Sequence, residues 1–133
     1  MTREQRRRAY GRGRKAEKLA AWWLRLKGYR ILARDFRVPL GEIDLIARRG
    51  RVLALVEVKA RPNLAAAGEA IGPRQRARIR RAAELFLQRH PGLAGLDVRF
   101  DVVLIAAGHR PRHIADAWRI EDPWRDLRNG PRL

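Results

Sequence analysis

Apolar residues recur along this chain with two different periods, and each period predicts a different kind of secondary structure. A helical spacing of apolar positions runs from Arg14 to Gly28, where the glycine suits the left-handed residue that follows many helices. A second helical spacing begins at Pro73, a residue favourable in a first helical turn, and continues to about Arg89. Runs rich in β-branched and other apolar residues predict strands at residues 29–38, 43–47, 52–60, 97–107 and 113–120.

This order of elements predicts one α/β domain, in which a mixed central β-sheet (α-β-β-β-α-β) is flanked by helices. With 133 residues, of which 46% are hydrophobic, the chain can form a single domain with a packed core. We assign this domain to residues 14–120, with a basic flexible arm over residues 1–13 and an irregular tail over residues 121–133. No apolar run approaches the roughly 20 residues of a membrane span and no secretory signal is evident, so a cytoplasmic protein is expected.

The charge of the chain is strongly positive and indicates the kind of partner. Lys and Arg number 31 against 14 Asp and Glu, which gives a formal net charge of +17. A surplus of this size on a small domain favours nucleic acid, with DNA expected and no membrane. Arginines of the second helix and of the strand before it are the predicted phosphate contacts: Arg61, Arg74, Arg78 and Arg81. Because the chain has no cysteine, disulfides, thiolate zinc sites and cysteine nucleophiles are excluded.

Two neighbouring strands carry charged residues at positions where buried apolar residues are expected. Asp44 lies within the first, over residues 41–46, and Glu57 and Lys59 lie within the second, over residues 56–61. A buried charge without a partner is costly, so such groups must pair, bind a metal or change protonation. An acid, a short gap and then Glu-x-Lys is the arrangement that a metal-dependent nuclease needs.

The register of the two strands decides whether these charges meet. A two-residue turn at Arg49 and Gly50 would make Asp44 and Glu57 diagonal neighbours on one face, with Cβ atoms roughly 7–8 Å apart. Oxygen ligands of this kind favour Mg²⁺ or Mn²⁺ over zinc. Lys59 would point to the same face, where it could hold a water and offset charge that develops on phosphorus. The alternative is an edge hairpin whose charges face solvent and deter aggregation.

Two further acids favour a structural interpretation. Glu42 begins a strand and is expected to bond to the main chain or to an arginine. Asp101 interrupts a buried strand next to Arg99, and a structural ion pair or a turn anchor is expected there.

Four segments in combination resemble a known family. They are Gly13-x3-Glu17-x2-Ala20, Gly41–Ile46, Val56–Arg61 and Arg99–Val103. Together they resemble the YraN-like family of uncharacterised bacterial proteins, over about residues 10 to 120. That family is similar to the PD-(D/E)xK nuclease superfamily and to archaeal Holliday junction resolvases. The resemblance therefore implies a restriction endonuclease-like core made of a helix, a three-stranded meander, a helix and a returning strand.

The resemblance also implies roles for particular residues. Asp44, Glu57 and the main-chain carbonyl of Val58 would be ligands of Mg²⁺ or Mn²⁺. Lys59 would be the catalytic lysine, and Glu17 would be the acid from the first helix that completes the site.

Relatives often have a lysine early in the second helix, where this chain has Gln75, which is expected to orient a phosphate or a water. The sequence therefore predicts a metal-dependent endonuclease that acts on DNA, with branched or damaged DNA among the expected substrates. Cutting a junction would require two active sites and hence a homodimer. Two alternatives remain open: a non-catalytic nucleic-acid-binding module on the same fold, and a basic adaptor that docks on an acidic protein or membrane surface.

Overall fold

The order of helices and strands predicted from the sequence is confirmed by a computed structural model, which describes residues 2–62 and 71–120. The helices are α1 (Arg3–Leu26) and α2 (Pro73–Arg89), and a 3₁₀ turn (Pro91–Leu93) follows α2. The strands are β1 (Arg30–Val38), β2 (Gly41–Arg49), β3 (Val52–Arg61), β4 (Asp97–Ala106) and β5 (Arg112–Trp118). The tail predicted over residues 121–133 lies outside the described residues.

The first helix begins earlier than the sequence predicted. It starts at Arg3, so the prediction of a helix start at Arg14 was wrong. The prediction was based only on the helical spacing of apolar residues, which begins at Arg14. The polar residues before it include Arg, Gln and Glu, which form helices well. The predicted end at Gly28 is confirmed: Gly28 has φ +91°, and the next residue, Tyr29, donates its N–H to the carbonyl of Leu24. This pattern is a Schellman motif.

The sheet contains five strands in the order β1-β2-β3-β4-β5. Three of the four neighbouring pairs are antiparallel, and β3 and β4 are parallel. A parallel pair needs a crossover connection, and α2 lies in the segment that joins these two strands. The structure is therefore a mixed α/β fold with a mostly antiparallel sheet and two helices.

The two helices cover opposite faces of the sheet, and each face has its own apolar core. The core on the α2 side includes Ile46, Leu55, Ile79, Phe86 and Phe100. The core on the α1 side includes Ala20, Leu24, Leu45, Val56 and Val103. Strand β3 is covered on both faces, which explains its nearly continuous apolar sequence from Val52 to Val56. Among the described residues, no helix has the length and apolar content needed to cross a bilayer.

The β2–β3 hairpin turns one residue later than the sequence predicted. Arg49 pairs with Val52, so the turn residues are Gly50, with φ +60°, and Arg51. Both strands move by one residue together, so the paired residues up to Leu45 and Val56 keep their predicted faces. Beyond them the alternation breaks, because Ile43 packs in the core on the α2 side although Leu45 lies in the core on the α1 side. The same register, continued past the pair of Leu45 and Val56, sets Asp44 opposite Glu57 and not diagonal to it.

Asp101 is fully buried and holds strand β5 to strand β4. Its carboxylate accepts two hydrogen bonds from Arg99, at 2.8 and 2.7 Å, so the predicted ion pair is confirmed. It also accepts a bond from His113 Nε2 at 2.7 Å and one from the main-chain N–H of Asp116 at 3.0 Å. Burial alone would raise the pKa of Asp101, but the bonds from His113 and Arg99 lower it to about 2.

Candidate active site between the second and third strands

The candidate site lies where strands β2 and β3 stop pairing through their main chains. The register of paired residues ends at Leu45 and Val56. Beyond that point the main-chain N–H of Val58 donates to Asp44 Oδ2 at 2.8 Å, so a carboxylate takes the place of a main-chain acceptor. The side chain of Asp44 is thereby fixed between the two strands.

Glu57 joins Asp44 to helix α2. Gln75 Nε2 donates to Glu57 Oε1 at 2.5 Å. Burial raises the pKa of Glu57, and Coulomb repulsion from the neighbouring carboxylate of Asp44 raises it further. Burial also raises the pKa of Asp44, although the bond from Val58 opposes the shift.

Lys59 lies on the same face of β3 as Glu57, because side chains two residues apart in a strand point the same way. It is buried, with 5% of its surface exposed. Its positive charge acts to lower the pKa of Glu57, which shows that the two groups are close enough to interact. A buried lysine beside a pair of acids is the arrangement that the sequence predicted for this strand.

Glu17 reaches the site from helix α1 and lines the same open cleft as Asp44. Burial raises its pKa to about 7, with smaller contributions from the charges of Asp44 and Asp35. The main-chain N–H of Asp35 donates to the Glu17 carboxylate and partly offsets this shift. The structure therefore brings Glu17 and Asp44 together although 26 positions separate them in the sequence.

Asp35 is a residue of the cleft that the sequence analysis missed. It adopts a left-handed conformation, with φ +47°, within strand β1, and it forms an exposed ion pair with Arg37 at 2.9 Å. The available signal was an aspartate in the middle of a predicted strand. Its charge raises the pKa of both Glu17 and Asp44, so this residue belongs with the candidate site.

Two of the predicted phosphate contacts, Arg61 and Arg78, lie next to residues of the cleft. Arg61 lines the cleft at the end of β3 and donates to the carbonyl of Ala60 at 2.8 Å. Three arginines are exposed on one side of α2, at the spacing i, i+4, i+7: Arg74, Arg78 and Arg81. Arg78 also lies 3.6 Å from Glu42, as the sequence predicted for that acid. Gln75, expected to orient a phosphate or a water, donates a hydrogen bond to Glu57.

The described part of the chain contains no group of three or more His, Cys, Asp or Glu side chains close enough together to hold a metal ion. The candidate ligands are therefore two carboxylates, Asp44 and Glu57, and any further donors would be main-chain carbonyls, water or substrate oxygens.

Comparison with known proteins places these residues in a family. Residues 16–105 match the profile of a family described as "Uncharacterised protein family UPF0102". The chain belongs to this family. The UPF0102 segment contains all four residues discussed as catalytic candidates, Glu17, Asp44, Glu57 and Lys59, and the resemblance to YraN-like proteins is confirmed.

Relatives with the same family name are similar over nearly their whole length. A UPF0102 protein of Parvibaculum lavamentivorans is 60% identical over 111 residues, which cover 84% of each chain. One from Paramagnetospirillum magneticum is 56% identical over 117 residues, or 85% of this chain and 91% of the relative. One from Maricaulis maris is 50% identical over 122 residues, or 92% and 96% of the two chains.

Proposed function

We propose that this UPF0102 protein is a metal-dependent endonuclease that binds DNA and hydrolyses phosphodiester bonds at the Asp44–Glu57 pair. The observation that carries the proposal is the approach of these two half-buried carboxyl groups, which Val58 N–H and Gln75 hold in place, with the buried Lys59 beside them. A purely structural acid pair of this kind is costly, because desolvation and mutual repulsion both oppose ionisation. A divalent cation would remove that cost.

A restriction endonuclease-like core is the fold that we propose for this site. Three features support it. An antiparallel meander of three strands is followed by a crossover helix and a parallel strand, helices lie on both faces of the sheet, and the acids lie where the meander opens.

The donor set suits Mg²⁺ or Mn²⁺, since all available ligands are oxygen atoms. Asp44, Glu57 and the Val58 carbonyl would hold the ion. When bound, the ion would polarise a phosphodiester oxygen and lower the pKa of a bound water.

The other residues have roles that follow from their positions. Lys59 would donate a hydrogen bond to a non-bridging oxygen of the scissile phosphate, where its charge offsets the negative charge that develops on phosphorus. Glu17 would accept a proton from the attacking water at its carboxylate, because a pKa of about 7 suits a general base near neutral pH. Arg61 at the cleft and the arginine row of α2 would hold the phosphate backbone.

A cleavage assay tests this proposal. Purified protein is incubated with labelled linear, nicked, single-stranded and branched DNA, with Mn²⁺, Mg²⁺ or EDTA. We expect metal-dependent cleavage that falls at least about 100-fold in Asp44→Asn and in Glu57→Gln, with DNA affinity retained. Glu84→Gln is the matched control, because this acid is exposed on α2 and pairs only with its neighbour Arg80 among the ion pairs described. Cleavage that persists in both site variants would show that the acid pair is not responsible.

A second candidate function is nucleic-acid binding without hydrolysis. It is favoured by the exposed arginine row on α2, which does not depend on the acid pair. In that case the logarithm of the binding constant would fall with the logarithm of the salt concentration, with a slope near −0.9 per phosphate contacted. The panel of DNA substrates would remain uncut with every metal.

A further inference from the structure

Helix α1 carries an exposed apolar ridge outside the side that packs on the sheet. The packed side is buried and includes Ala20 and Leu24. The ridge consists of Leu19, Trp22 and Leu26, which are 38%, 52% and 63% exposed. Their spacing, i, i+3, i+7, puts them in one row along the helix. These three account for half of the six large apolar side chains exposed in the described part of the chain.

The α1 ridge has a positively charged border. Lys15 lies four residues before Leu19, Lys18 lies four residues before Trp22, and Arg25 lies three residues after Trp22, so each is a neighbour of the ridge on the helix surface. All three are exposed. Lys15, Lys18 and Leu19 also line the candidate cleft, as does Glu17, the acid nearest in sequence. The α1 ridge is therefore an exposed apolar surface with basic residues along its borders.

The chemistry of the ridge distinguishes among possible occupants. A second copy would bring together two α1 helices with nine basic and two acidic residues each, and their charges would repel. Nucleic acid could stack a base on Trp22 but offers little apolar surface to the two leucines. An interfacial membrane helix presents apolar residues along most of its length, whereas the first sixteen residues of α1 contain one large apolar residue, Tyr10.

We propose that the α1 ridge is a docking surface for an acidic amphipathic helix of a partner protein. The ridge spans about 10 Å along the helix axis, or two turns, which matches the apolar contact of one helix in the groove of another. Asp and Glu residues of the partner would lie opposite Lys15, Lys18 and Arg25, and its leucines would pack on Trp22 and Leu26. This proposal does not depend on nuclease activity.

Three synthetic helical peptides serve as probes for the full-length protein. The first has leucines at i, i+3, i+4, i+7 with glutamate borders, the second has the same leucines with lysine borders, and the third keeps the glutamates but replaces the leucines by serine. Binding is followed by fluorescence anisotropy of a dye on the peptide. We expect saturable binding of the first peptide, at least about tenfold tighter than of either other peptide.

Variants of the protein locate the binding surface. Leu26→Ser and Trp22→Ala should each weaken binding of the first peptide about tenfold or more. Leu40→Ser is the matched control, because Leu40 is 83% exposed on the β1–β2 turn and should have no effect. Circular dichroism verifies the fold of each variant, and Leu26→Ser alone suffices if Trp22→Ala does not fold.

Several results would overturn the proposal. They are absence of saturable binding, equal binding of the leucine and serine peptides, and binding that Leu26→Ser leaves unchanged. The proposal would also be overturned if Leu26→Ser abolished binding of the protein to phosphatidylglycerol vesicles or to DNA. Dissociation of a dimer by Leu26→Ser, measured by sedimentation, would overturn it as well. In each case the ridge would have another occupant.

Discussion

Gln75 Nε2 donates a hydrogen bond of 2.5 Å to Glu57 Oε1, which connects helix α2 to the candidate site on strand β3. The bond fixes one oxygen of a half-buried carboxyl group whose pKa is raised by desolvation and by the charge of Asp44. The chemistry at position 75 should therefore control the protonation of Glu57.

Gln75→Lys should lower the pKa of Glu57, because an ammonium group near the carboxylate favours its ionised form. Gln75→Leu should destabilise the fold by about 1 kcal/mol through loss of the hydrogen bond. NMR titration of the Glu57 side-chain carboxyl carbon measures the first effect, and urea unfolding measures the second. An unchanged titration in Gln75→Lys would mean that the lysine points into solvent.

The stability of the metal-free protein should fall as the pH rises through neutrality. The pKa of Glu57 is raised from 4.5 to about 8, so the folded state binds a proton that the unfolded state loses above pH 4.5. The free energy of unfolding should decrease between these values, by on the order of 2 kcal/mol. Glu57→Gln should reduce this dependence, and the part that remains should come from Glu17, whose pKa is raised to about 7. Urea unfolding between pH 5 and 9, in EDTA, measures the pH dependence of stability for the wild type and for Glu57→Gln.

Divalent cations should reverse the dependence of stability on pH. Ligation requires ionised carboxylates, so Mg²⁺ or Mn²⁺ should stabilise the wild-type protein more at pH 8.5 than at pH 5.5. Thermal unfolding with and without the ion measures the effect, and Glu57→Gln should lose it. Equal stabilisation of wild type and Glu57→Gln would place the ion elsewhere.

Asp101→Asn should destabilise the protein by about 3 kcal/mol, because it leaves Arg99 and His113 without their buried anionic partner. The pKa of Asp101 is lowered to about 2, so its contribution is present above pH 4 and is lost as the pH falls towards 2. Asp97→Asn, on the exposed start of the same strand, should have little effect. Chemical denaturation of both variants at pH 7 and at acid pH tests this.

Gly41→Ala should disturb the approach of α2 to the sheet. A Cβ at this position would lie 2.7 Å from the main-chain oxygen of Arg78 and 2.8 Å from the nitrogen of Ala82, and helix backbone cannot move aside without shifting the helix. We expect a loss of about 1–3 kcal/mol in stability and a weaker contact of Gln75 with the site. Gly92→Ala, where nothing lies within 4 Å, is the control. Unfolding measurements on both variants give the comparison.

Part of the candidate site follows from local patterns. Strand alternation predicts that Glu57 and Lys59 share a face, and it assigns Asp44 to the face of Glu57 for the predicted turn. The prediction of that turn was wrong by one residue, but both strands shifted together, so the faces were preserved as far as the pair of Leu45 and Val56. Contacts between distant segments, such as that of Gln75 with Glu57, carry no local periodicity and could not be predicted in this way.

The sequence by itself determined the order of the elements, the inward faces of the strands, the positive charge and the acids available for chemistry. These depend on the period of apolar residues and on composition, which are local properties of the chain. Only the tertiary structure decided that Glu17 and Asp35 approach Asp44, that α2 reaches Glu57, and that an apolar ridge on α1 stays uncovered by the described residues. Such relations depend on how helices pack on a twisted sheet, and packing is fixed by contacts between segments far apart in the sequence.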